Sequence, residues 1–114
     1  MTLLGDCLDY IRSTDYVSFA ELERWLEGRG VPVHGEWAVE PTGTNIILWA
    51  DMSREFLELV QALQPHTELS DASILIYAID GRMPRLPLAR RLPKGGYKEP
   101  HWHPCTLRAK RVPA

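Results

Sequence analysis

His101, His103 and Cys105 stand at i, i+2 and i+4 near the end of the 114-residue chain. In an extended strand that spacing projects all three side chains to one face, and imidazole nitrogen and thiolate sulfur are donors that zinc prefers. These residues are the candidate metal ligands. Against them, Pro100 and Pro104 disturb strand geometry, and no fourth ligand is identifiable beyond the distant His34 and His66. The competing reading makes the histidines loop or edge residues flanking a packed Trp102. On that reading no cofactor is needed, and the chain is expected to fold without metal.

A second chemistry lies in the charges. Met1 to Gly81 holds 4 basic and 14 acidic residues, Arg82 to Ala114 holds 9 and 1, and the resulting −10 and +8 make up the overall −2. Arg82, Arg85, Arg90, Arg91, Lys94 and Lys98 are interleaved with Tyr97 and Trp102, which supplies charge for phosphates and flat rings on which a base can stack. The basic stretch from Arg82 to Arg111 is therefore either a polyanion-binding surface or a partner for the chain's own acidic helices. Catalytic motifs are poor: the chain has no GxSxG elbow, HExxH pair, Walker loop or Rossmann glycine pattern. Lys94-Gly95-Gly96 reads as a flexible turn before a phosphate nest, and Asp51 and Asp80 are explained by the Ser53 cap and the Gly81 turn beside them. A non-catalytic protein is expected. Trp37, alternating with two Glu residues, is the candidate anchor for a protein partner.

The elements that must position these residues follow from periodicity. Leu4, Cys7, Leu8 and Ile11 share one helical face, so residues 2 to 13 are predicted to be an amphipathic helix, with Cys7 a small core hydrophobe. Ser18 and Glu21 form a capping box that starts a second helix with Phe19, Leu22 and Leu26 inward, ended by Gly28 or Gly30. Trp37 and Val39 alternate with polar neighbours, and beyond the Pro41-Thr42-Gly43-Thr44 break comes the apolar run Ile46 to Ala50; together these read as a hairpin. Ser53 caps a third helix with Phe56, Val60 and Leu63 inward, ended by Pro65. Ser73 to Ile79, apolar and β-branched, is predicted to be a central strand, and Leu86 and Leu88 a return strand that Pro84 and Pro87 confine to an edge.

The sum is an α+β protein with three helices and four or five short strands. The order helix, short extended piece at Val17, helix, helix, strand, turn, strand over residues 2 to 90 resembles a winged helix with a β-hairpin inserted between its second and third helices. In that resemblance Ser53 to Gln64 is the third helix and Asp80 to Pro84 the tip of the wing. The alternative is an antiparallel sheet with helices on one face. Residues 1–92 are expected to form the globular domain, and 93–114 a basic Pro/Gly-rich segment that packs as a final strand. The longest apolar run, Ile74 to Ile79, is far short of the roughly 20 residues of a membrane span, and the first residues do not read as a signal peptide, so a cytoplasmic location is expected. The expected function is that of a small regulatory or protein-interaction domain. Nucleic-acid binding through Arg82 to Arg111 and metal binding through His101, His103 and Cys105 are the alternatives.

Overall fold

Helix α1 (Leu3–Thr14) begins where the Thr2 hydroxyl accepts the Gly5 amide, and it turns Cys7, Leu8 and Ile11 inward. Asp15 and Tyr16 then adopt φ of 58° and 49°, reversing the chain into strand β1 (Val17–Ser18). Ser18 ends the strand and opens α2 (Phe19–Glu27), its hydroxyl accepting the Glu21 amide at 3.0 Å. The computed structural model describes residues 2–40 and 43–110. Pro41 and Thr42 of the predicted turn, and Arg111 of the basic stretch, lie outside the described residues.

Strand β2 (His34–Val39) pairs antiparallel with β4 (Trp49–Met52), which makes the hairpin. Its ladder is bulged, because His34 and Trp37 both oppose Met52. Gly35 permits this: a Cβ there would lie 2.6 Å from the Met52 carbonyl oxygen. Between them β3 (Ile46–Ile47) leaves the hairpin and pairs in parallel with β6 (His101–Trp102). The Ser53 hydroxyl accepts the Phe56 amide at 3.0 Å and starts α3 (Arg54–Leu63), which buries Phe56, Val60 and Leu63. A single 3₁₀ turn carrying Pro65 leads into β5 (Thr67–Asp71).

The strands predicted at Ser73 to Ile79 and Leu86 to Leu88 do not form. Residues 74–80 are instead a fourth helix, α4 (Ile74–Asp80), where three helices were expected. The Ser73 hydroxyl accepts the Leu75 amide at 3.2 Å, and Gly81 closes the helix at φ 90°, a left-handed conformation that suits glycine. A strand apolar on both faces requires cover on both, yet this segment is packed on one side, with Tyr77 buried and its other apolar residues exposed. Strand propensity depends on such packing, so the local caps decide the outcome. Around Leu86 to Leu88 the chain makes one isolated bridge, Leu88 with Trp102. Pro84 and Pro87 leave it too few donors for a ladder.

The sheet is built instead from β5 and from β7 (Cys105–Ala109), in the antiparallel order β1-β7-β5. Val17 and Leu69 flank Leu107 on either side, and Asp71 lies opposite Cys105. Pro104, with no amide hydrogen, separates β6 from β7, and the chain changes sheets there. The class is α+β. Phe19, Trp49, Tyr77 and Trp102 form an aromatic cluster at the centre, with ring centroids 4.9 to 6.4 Å apart in successive pairs. Tyr77 fastens α4 to this core: its hydroxyl donates to the Cys105 carbonyl at 2.6 Å and accepts the Phe19 amide at 3.0 Å. Among the described residues, no helix is long and apolar enough to cross a membrane.

Candidate functional site

Helix α4 is fixed by one buried side chain and offers the rest of its aliphatic residues to solvent. Leu75 and Ile79 are one turn apart, and Ile76 lies beside them at i, i+3 from Ile79, so the three share a face. Leu75 is 67% exposed and Ile79 is 84% exposed. Met83 and Leu92 add further exposed apolar surface in the loop that follows. The sequence conceals this face, because a strand reading assigns the same residues to the core.

The basic residues of that loop divide into two groups. Arg82 is committed inward: its Nε lies 3.0 Å from Glu23 Oε2, its Nη2 donates to the Ala50 carbonyl at 2.7 Å, and its guanidinium stands 4.4 Å over the Trp49 ring. Neutralisation by the acidic helices therefore accounts for Arg82. Arg85, Arg90, Arg91, Lys94 and Lys98 are exposed and form no ion pair with the described residues. Beyond the loop, Arg108 reaches Glu68 at 3.8 Å.

The two aromatic rings assigned to base stacking are placed differently. Trp102 is 2% exposed, inside the aromatic cluster, where a base cannot reach it. Tyr97 stacks on His101 with centroids 3.8 Å apart, and its hydroxyl donates to the Arg91 carbonyl at 2.5 Å. The Tyr97 amide donates to the Thr44 carbonyl at 2.8 Å, and Gly96, at φ 80°, packs so closely on Thr44 that no side chain fits. These contacts tie the cationic loop to β3. Trp37 is half-exposed on the outer strand of the hairpin, away from the aromatic cluster.

A cleft of about 500 Å³ opens beside Arg82, lined by His34, Asp51 and Arg85 among others. Asp51 holds a φ of 56° at its rim. Beneath it lies Glu23, 3% exposed, with Oε1 making no hydrogen bond and His34 Nδ1 4.0 Å away. The Trp49 indole N–H lies beside the carboxylate without closing a hydrogen bond. Desolvation raises the Glu23 carboxyl above its ordinary value of 4.5 against the opposing pull of Arg82 and His34. Glu23, one of the acidic residues of the second helix, lies four residues after Phe19 and three before Leu26, which puts it on the buried stripe rather than the solvated face.

The three candidate metal ligands are not brought together. His101 is held by Tyr97 and by a 2.9 Å contact between Nδ1 and the Glu99 carbonyl. His103 and Cys105 instead meet Asp71, and the three donor atoms lie within 4.8 Å of one another. His103 Nε2 is 2.9 Å from Asp71 Oδ1, and its Nδ1 is buried with no partner. Asp71 had no local signal, because its place opposite Cys105 exists only through the β5–β7 pairing. Burial pushes the Cys105 thiol up to about 12, with Asp71 adding to the shift, so the sulfur is a protonated thiol at neutral pH and a poor nucleophile. Cys7 is likewise a buried free thiol, pushed up to about 12 by the same desolvation. Set against known proteins, the chain matches no family model, no curated protein and no solved structure.

Proposed function

We propose that this protein is a non-catalytic interaction module that docks another protein through α4 and the cationic loop behind it. The partner surface has the complementary chemistry: an apolar stripe flanked by carboxylates. The observation that carries this reading is the exposure of Leu75 and Ile79 on a helix already anchored by Tyr77. Contiguous aliphatic surface held on a fixed helix is characteristic of a binding face. The unpaired cations at 85–98 favour an acidic partner, because charge complementarity speeds encounter and rejects basic surfaces.

Nucleic-acid binding is the second reading. Its support is the strand order β1-β7-β5 with α1, α2 and α3, which resembles a winged helix whose wing is the connection from residue 72 to 104 in place of the Asp80 to Pro84 tip expected from the sequence. The exposed cations Arg85, Arg90, Arg91, Lys94 and Lys98 lie on that connection. Against it, α3 exposes Glu55 and Glu58 where a DNA-reading helix needs donors, and aliphatic side chains contribute nothing to phosphates.

Fluorescence anisotropy separates the two. The probes are a labelled amphipathic peptide with Leu at i, i+3, i+4 and i+7 and Glu elsewhere, and single- and double-stranded oligonucleotides, each at two salt concentrations. The peptide should bind, and the double change Leu75→Ser with Ile79→Ser should weaken it at least tenfold, as expected from losing about 1.4 kcal/mol or more of apolar burial. A peptide that does not bind, or that ignores the double change, overturns the proposal. Oligonucleotide binding that falls steeply with salt and disappears on Arg90→Glu with Arg91→Glu puts the nucleic-acid reading in its place.

A further inference from the structure

We propose that Asp71, His103 and Cys105 form a binding site for one zinc-class divalent ion. The β5–β7 ladder places Asp71 directly opposite Cys105, and antiparallel partners project to the same face of the sheet. His103 arrives from the other side of Pro104, held by its amide donating to the Ile47 carbonyl at 2.9 Å. A carboxylate oxygen, an imidazole nitrogen and a sulfur thus converge within 4.8 Å from two paired strands and a bonded loop. Zinc bonds of about 2.0 to 2.3 Å need donors roughly 3.5 Å apart. His103 and Asp71 are already closer than that, and the Asp71 side chain, 87% exposed, is free to adjust.

The donor set selects the ion. Calcium and magnesium take oxygen ligands throughout, whereas sulfur with nitrogen and one carboxylate suits zinc or cobalt. On binding, the Cys105 thiol releases its proton to solvent, so one thiolate and one carboxylate balance the divalent charge. The exposed side of Asp71 provides the entry path and leaves a fourth position to water. Nε2, the ring nitrogen 2.9 Å from Asp71 Oδ1, is the donor that His103 offers to the ion.

Titration with Co²⁺ tests this on the full chain. The expected result is one equivalent bound, with an intense thiolate-to-cobalt charge-transfer band. Cys105→Ser should abolish the band and Cys7→Ser should retain it. Because Cys105 is buried, Asp71→Asn serves as the fold-neutral variant: with circular dichroism unchanged, it should weaken Co²⁺ binding tenfold or more. Absence of the band at excess Co²⁺, its loss in Cys7→Ser with retention in Cys105→Ser, or an Asp71→Asn protein that binds like the parent overturns the site.

Discussion

At the scale of single residues, chemistry is decided by burial. Glu23 illustrates it, because Arg82 satisfies one carboxylate oxygen while the other has no hydrogen bond in a desolvated position. A raised folded-state value means that the folded protein binds its proton more tightly than the unfolded chain does. The associated stability is complete below the ordinary value of 4.5 and is lost as pH rises through the folded value. Glu23→Gln should therefore flatten the dependence of stability on pH across that interval, as read from denaturant melts at several pH values. A slope identical to the parent's would show that Glu23 does not titrate there. The Ser18 and Ser53 caps were legible in the sequence, since a cap needs partners only three residues away. The burial of Trp102, the inward turn of Arg82 and the replacement of His101 by Asp71 were not, because each depends on neighbours tens of residues distant.

Secondary-structure elements show the same division. α1, α2 and α3 follow from apolar spacing and caps that act locally, whereas the hairpin was legible only in part, because Ile46–Ile47 of the predicted strand pair with β6 and Trp49–Met52 take the place beside β2. α4 carried two opposing signals, β-branched composition for a strand and the Ser73 and Gly81 caps for a helix, and tertiary packing left one side uncovered. β5 reads as Thr-Glu-Leu-Ser-Asp, polar enough to escape notice as a strand, yet it pairs with β7 along its full length. What holds α4 in place is the Tyr77 hydroxyl, shared between the Phe19 amide and the Cys105 carbonyl. Tyr77→Phe leaves both backbone groups buried without that partner and should cost about 1 to 3 kcal/mol in a urea melt. A loss below about 0.5 kcal/mol would mean that the helix is held by apolar packing alone.

Over the whole molecule, the α+β class could be counted from predicted elements, but the order β1-β7-β5 could not. It sets the C-terminal strand between two strands drawn from much earlier in the chain, a non-local pairing on which no spacing reports. The charge asymmetry was visible from the start, and the fold apportions it: Arg82 and Arg108 meet acidic side chains, while the cations from Arg85 to Lys98 are exposed and form no ion pair among the described residues. Together with α4 they make one candidate docking face, and the location of that face is the central claim. Amide hydrogen exchange followed by mass spectrometry, with and without the acidic amphipathic peptide, tests it most directly. Slowed exchange concentrated in residues 74–98, with α3 and β2 unchanged, is the predicted result. Protection centred on α3 or around Trp37, with 74–98 exchanging as in the free protein, would contradict it.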